Sequence, residues 1–203
     1  MGFYATRILP HLIELAMRQE ILAPYRRRAL VETAGPVLEI GAGSGLNLSL
    51  YGASASWVCA LEPSPELLQM AKRRTAEARL PVLLMRASAE ELPFCDGAFA
   101  TVVSTWTLCS IPAPLRALRE MRRVLRPGGR FVFVEHGLAS EDGVARWQRR
   151  LTLLWKHIAG GCHLDRKIDD LVRAAGFSIG ALETGYIKGP KAMTFLYQGW
   201  AQP

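Results

Sequence analysis

Gly41, Gly43 and Gly45 stand at every second position directly after the apolar run Val37–Ile40, and Glu39 lies inside that run. Glycines placed this way let the backbone turn sharply and approach a bound group without Cβ interference. Glu62 closes a second apolar run about 20 residues on, where a carboxylate ending a neighbouring strand accepts both hydroxyls of a ribose. Leu46 occupies the position at which a pyrophosphate-binding G-x-G-x-x-G needs its third glycine, which argues against a dinucleotide and nicotinamide redox chemistry. His136 follows Glu135 at the end of a later apolar run and offers either a base or a hydrogen bond to a substrate. Trp106 and Trp155 are candidates to wall an apolar pocket, with Tyr4 on the N-terminal segment. Cys162-His163-Leu164-Asp165-Arg166 contains metal-ligand residue types, yet no second ligand pair lies at a useful spacing, so the sequence predicts no metal site. That segment reads as a substrate-facing turn around Cys162 and His163, or as the entry to a helix capped by Asp165.

The elements that must position these residues follow from the hydrophobic pattern. Phe3 to about Leu30 reads as one or two helices, interrupted near Pro24 and the run Arg26-Arg27-Arg28. From Pro36, short apolar runs alternate with helical stretches, the pattern of a parallel sheet built from βα units. Strands are predicted at Val37–Ile40, Trp57–Leu61, Val82–Met85, Thr101–Ser104 and Arg130–Glu135. Helices are predicted at Leu46–Tyr51, Pro65–Ala78 and Pro114–Leu125, the second capped by Ser64 with Pro65 in its first turn. Glu141–Ile158 reads as an amphipathic helix with Val144, Trp147, Leu151, Leu154, Trp155 and Ile158 on its apolar side, ended by Gly160-Gly161. A last helix, Arg166–Ala175, precedes two strands near Ile179–Glu183 and Thr194–Trp200, a hairpin at one edge of a doubly wound sheet.

At 203 residues, 50% hydrophobic and 21% charged, the chain is expected to be one domain spanning 1–203, with N-terminal helices over 1–35 and a cap insertion over 137–163. Disorder is excluded by the apolar content, and no run approaches the roughly 18 apolar residues of a membrane span. Four scattered cysteines without a C-x-x-C pair argue against a disulfide framework and fit a cytoplasmic setting. The net charge of +7 spreads over several predicted helices, mostly as solvated faces. Only Arg146, Arg149, Arg150 and Lys156 keep a functional reading, attraction to an anionic membrane surface or substrate. A non-catalytic surface-binding protein on the same fold is the rival from another class. Nucleic acid is not an expected partner, because no basic platform interleaved with aromatics is present.

Together, E-x-G-x-G-x-G after a first strand, an acidic residue ending the second, Ser88-Ala89-Glu90-Glu91-Leu92-Pro93-Phe94 and Leu125-Arg126-Pro127-Gly128-Gly129 resemble the class I S-adenosylmethionine-dependent methyltransferases. The resemblance implies a Rossmann-like seven-stranded sheet of order 3-2-1-4-5-7-6 with strand 7 antiparallel, and S-adenosylmethionine as cofactor. It implies that Glu39, the Gly41-Ala42-Gly43-Ser44-Gly45 loop and Asn47 hold the methionine end. Glu62 and Pro63 would lie at the ribose, Ser88, Ala89 and Glu90 at the adenine, and Thr105 near the methyl group. Ser88 stands where many relatives have aspartate, so adenine contact there would be more backbone-borne. Leu125–Gly129 is expected to be a structural turn.

Later segments narrow the likeness. Ser104-Thr105-Trp106-Thr107-Leu108-Cys109-Ser110, Val134-Glu135-His136 and Trp155-Lys156-His157-Ile158-Ala159-Gly160-Gly161-Cys162 through Arg166 look like the methyltransferase-like alkyl-thiol S-methyltransferases of microsomal membranes. Similarity to quinone C-methyltransferases and bacterial phosphatidylethanolamine N-methyltransferases holds through the cofactor half. The implied reaction moves a methyl group to a small, rather apolar nucleophile. Thiol sulfur comes first, because a thiol with pKa near 8.5 ionises more readily than an ammonium, and lipid amine or quinone carbon follow. The N-terminal helix and Glu141–Ile158 would cover the mouth.

Overall fold

The computed structural model describes residues 2–203. Its strands are β1 (Gly35–Ile40), β2 (Ala55–Leu61), β3 (Val82–Met85), β4 (Phe99–Thr105), β5 (Leu125–His136), β6 (Ser178–Tyr186) and β7 (Phe195–Gln202). They form one sheet in the order β3-β2-β1-β4-β5-β7-β6. The first five are parallel, and β7 runs antiparallel between β5 and β6. The α-helices are α1 (Leu9–Met17), α2 (Ala23–Leu30), α3 (Pro65–Arg74), α4 (Pro114–Val124), α5 (Asp142–Ile158), α6 (Ile168–Ala174) and α7 (Lys191–Thr194). A sheet with helices on both faces must bury both faces, which is why every residue of β4 is buried, including the hydrogen-bonded Thr101, Ser104 and Thr105.

Alternation divides the core. Val37, Val58, Ala60, Val103, Val132 and Val134 point to one side with Leu30 of α2. Leu38, Ile40, Leu61, Val102, Phe131 and Phe133 point to the other with Leu118 and Met121 of α4 and Val172 of α6. The chain winds outward from β1 in both directions, so the carboxyl ends of β1 and β4 flank a crevice at the reversal of strand order, where such sheets bind their ligands.

Most predicted elements lie where the pattern places them, and four details differ. Residues 46–51 form successive tight turns instead of a helix, with Leu48 N–H donating to Gly45 and Leu50 N–H to Asn47. This compact path buries Leu48 and brings Asn47 and Tyr51 onto Glu39. Arg126-Pro127-Gly128-Gly129 is a bulge inside the paired length of β5, where the register jumps from Phe99↔Leu125 to Thr101↔Arg130. Asp165 does not cap α6: that helix starts at Ile168 after Lys167, and two acidic residues in its first turn, Asp169 and Asp170, complement its positive end instead.

The largest difference concerns α5. The side that packs inward carries Ala145, Gln148 and Thr152, while Trp147, Leu151, Leu154 and Ile158 are exposed, Leu154 at 75%. Hydrogen bonding decides this orientation. The Gln148 amide accepts from Ala139 N–H and donates to the Gly137 and Ala192 carbonyls. The Thr152 hydroxyl accepts from Leu164 N–H. Turning the helix to bury leucines would strand these backbone groups at about 1–3 kcal/mol each.

Candidate active site

The glycine loop is shaped by close approach. Gly41 and Gly45 have φ of +67° and +84°, and a Cβ on Gly41 would sit 2.3 Å from Thr107 Cγ2. Gly43 also has positive φ, but a Cβ there would meet only open space. Gly43 N–H and Ser64 N–H donate to the two oxygens of Glu62 at 2.9 Å each. Glu62 is thereby fixed at the lip of the loop, and burial pushes its carboxyl up.

Behind the loop lies a buried network. Glu39, 1% exposed, accepts from Asn47 Nδ2 at 2.7 Å and from the Tyr51 hydroxyl at 2.9 Å. Asn47 also donates to Thr105 Oγ1 and accepts from Arg26 Nη1, and Arg26 reaches the Met17 carbonyl and stacks over Trp106. Burial lifts Glu39 to about 7, against the downward pull of Tyr51, Asn47 and Arg26. The predicted solvated run Arg26–Arg28 is therefore corrected at its first member. Arg26 is 7% exposed and fastens α2 to the crevice.

At the end of β4 the chain turns through Trp106, a bulky residue with φ of +52°, a conformation held by Trp106 N–H on the Val134 carbonyl at 2.7 Å. Glu135, fully buried, accepts from Ser104 Oγ and from the N–H groups of Thr107 and Leu108. Burial, followed by the neighbouring Cys109 sulfur, pushes it up to about 8. This clamp sets the turn that carries Cys109. His136 Nε2 lies 3.0 Å from Cys162 Sγ, and Cys109, His136 and Cys162 present donor atoms all within 4.8 Å of one another. The Cys109 thiol is held well below its usual range by a hydrogen bond with Cys162 and by the His136 imidazole. Cys162 is pushed up correspondingly. Burial opposes protonation of His136, yet the Cys109 sulfur raises it.

Residues 38–133 match the methyltransferase domain family. Thiol S-methyltransferase TMT1A of Homo sapiens is 34% identical over 171 residues, covering 79% of this chain and 68% of that protein. The chain belongs to the S-adenosylmethionine-dependent methyltransferase family. Thiol S-methyltransferase TMT1B of Rattus norvegicus is also 34% identical, over 72% of this chain, which spans 62% of that protein's length. Phosphatidylethanolamine N-methyltransferase of Cereibacter sphaeroides is 38% identical over 64% of this chain and 65% of its own. Among solved structures, a methyltransferase of Bacillus halodurans shares the fold with a TM-score of 0.69 at 18% identity, over 89% of this chain and 95% of that one.

The crevice of this methyltransferase fits the family's cofactor, whose sulfonium supplies an activated methyl group. The open side of Gly43 and the carboxylate of Glu62 would cradle it, with Ala42 and Pro63 as their chain neighbours. Other predicted cofactor residues have partners of their own. The Ser88 hydroxyl donates to Glu90, and the Glu90 carboxylate also accepts from Ala113 N–H, so this pair braces the entry to α4. Ala89 is buried beside them. Of the predicted substrate residues, Cys162 and Trp155 meet at the cysteine–histidine cluster. Trp106 lies toward Arg26, and His163 turns to Asp165 at 3.8 Å. Tyr4 donates to the Ile158 carbonyl at 2.6 Å and ties the N-terminal segment to the end of α5. Sequence reasoning missed Arg26, Tyr51, Cys109 and Glu135 as members of the site. Cys109 and Glu135 lie beside residues it did select, so strand-end position was the available signal.

Proposed function

We propose that this methyltransferase carries a methyl group from S-adenosylmethionine to the sulfur of a small, rather apolar thiol. The observation that carries the reading is the 34% identity to thiol S-methyltransferases over 72–79% of the chain. The geometry supports it. Methyl transfer asks the protein mainly to align the nucleophile and exclude water. Exclusion falls to α1, which spans the site: Glu14 pairs with Arg74, Arg74 holds the Ser44 carbonyl of the glycine loop, and Leu9 and Ile13 lie against Gly160 beside Cys162. Alignment falls to the turn after β4, held by Glu135 and placed between the glycine loop and the cysteine–histidine cluster. His136 faces Cys162, so it acts by positioning the sulfur-rich end of the site and not as a base free in the crevice. An amine acceptor asks for more, because an ammonium with pKa near 10 must lose its proton and the adjoining Glu135 carboxylate is buried and already accepts three hydrogen bonds.

The test is S-adenosylhomocysteine formation with alkyl and aryl thiols, a quinol and phosphatidylethanolamine vesicles in parallel. Turnover with thiols at least tenfold above the other classes is expected. Turnover confined to the lipid or the quinol would replace the thiol, and none with any class would refute the enzymatic reading.

A further inference from the structure

Cys109, His136 and Cys162 come from three separate elements: the turn after β4, the last residue of β5 and the loop after α5. We infer that they form a three-ligand site for a zinc-type divalent cation, with a fourth position open to the acceptor thiol; this second part rests on the thiol reading above.

The distances suit the ion. Tetrahedral zinc with Zn–S near 2.3 Å and Zn–N near 2.0 Å needs ligand atoms about 3.5–3.8 Å apart. The three donor atoms here lie within 4.8 Å of one another, His136 Nε2 and Cys162 Sγ at 3.0 Å, so side-chain adjustment of at most about 1 Å completes the triangle. Two cysteines and one histidine with a vacant fourth position is a ligand set known from catalytic zinc sites.

The surroundings hold both cysteine-bearing loops in place. His163 N–H donates to the Cys109 carbonyl at 2.9 Å. Arg166 donates to the carbonyls of Leu108 and Ile111, locking the Cys109 turn to the segment after Cys162. Gly160 and Gly161 take positive φ to deliver Cys162, and a side chain on Gly161 would press on the Ser110 carbonyl at 3.2 Å. This is the outer support that metal ligands require. The charge also balances, since two thiolates neutralise a divalent ion. The buried Trp155 indole N–H has no hydrogen-bond partner among the described residues, and a metal-bound Cys162 thiolate beside it is an acceptor.

On binding, Cys109 and Cys162 each release a proton to solvent and coordinate as thiolates, and an acceptor thiol does the same at the fourth position. No redox step is involved. The acceptor would be held as an anion at neutral pH beside the glycine loop, to which the Thr107 hydroxyl connects this turn through the Gly41 carbonyl.

The test is cobalt(II) titration of the full chain, followed by absorption, with zinc content measured on the purified protein. One cobalt per chain, a thiolate-to-cobalt charge-transfer band and tetrahedral d–d absorption are expected. Cys109→Ser and Cys162→Ser should each weaken binding at least a hundredfold. A Cys59→Ser/Cys95→Ser double variant, lacking the two cysteines outside the cluster, should bind as the parent does. Circular dichroism and S-adenosylhomocysteine affinity verify folding of each variant, and His136→Asn gives a third independent removal. Adding a small alkyl thiol should shift the d–d bands. No stoichiometric metal, equal binding by the serine variants, or quantitative recovery of a Cys109–Cys162 disulfide overturns the site. Unchanged bands on thiol addition overturn the open position. Cobalt binding without turnover of any thiol refutes the thiol function and leaves the metal site standing. Full thiol turnover by chelator-stripped protein does the reverse for the acceptor role of the metal.

Discussion

Replacing Glu39 by glutamine should make this methyltransferase more stable relative to the parent as pH rises. In the folded chain Glu39 titrates near 7, raised from 4.5 by burial. A carboxyl raised on folding contributes stability that is fully present below its unfolded pKa and is lost as pH climbs through its folded pKa. Between these values the native state keeps a proton that the unfolded chain has released. The penalty grows to about 3 kcal/mol by pH 8, of which about 2.5 kcal/mol accumulates above pH 5. Glutamine cannot ionise, yet its carbonyl still accepts from Asn47 and its amide can donate to the Tyr51 hydroxyl, so the packing survives. Glu62 and Glu135 are raised as well, but they titrate alike in both proteins and cancel in the difference. The assay is urea unfolding of parent and Glu39→Gln without cofactor at pH 5, 6, 7 and 8, comparing stabilities at equal slope. The gap should move toward the variant by about 2.5 kcal/mol across that range. Parallel pH profiles within about 0.5 kcal/mol, or a gap moving the other way, would refute the assignment of a buried, proton-holding Glu39.

Three further outcomes follow from the same structure. Gly41→Ala places a methyl group against Thr107 in a left-handed conformation that alone costs about 1–2 kcal/mol, so calorimetric affinity for S-adenosylhomocysteine should fall at least tenfold. Gln148→Leu leaves Ala139 N–H and the Gly137 and Ala192 carbonyls without their partner, and thermal unfolding should report a loss of about 2–4 kcal/mol despite the added apolar volume. The exposed Trp147, Leu151 and Leu154 stand beside Arg146, Arg149 and Arg150, a combination suited to an anionic membrane surface. Neutralising the three arginines should lower partition onto phosphatidylserine vesicles roughly a hundredfold, at about 1 kcal/mol per charge, and sedimentation checks it.

The periodicity of apolar residues was enough to find all seven strands, because the central strands are buried on both faces and the edge strands β3 and β6, though partly exposed, still carry short apolar stretches. The glycine loop and Glu62 were equally legible. A turn that demands positive φ writes its requirement locally, and the strand-end carboxylate follows at a regular interval. Local signals went wrong where residues far apart in the chain compete. The leucines of α5 formed a convincing buried stripe, but only the folded chain brings Gly137, Ala139 and Ala192 to Gln148, and their unpaired hydrogen bonds outweigh the apolar surface. Arg26 read as one of three solvated arginines until the fold set it 3.1 Å from Asn47, 21 residues away. The spacing around Cys162 spoke against a metal because its neighbours in sequence make no ligand set; its neighbours in space, Cys109 and His136, do. Sequence by itself determined the sheet, the glycine loop and the family, since each rests on short-range pattern. Tertiary structure alone decided which face of α5 is buried, which arginine is internal and which cysteines meet, since those depend on contacts between strand ends that no local pattern encodes.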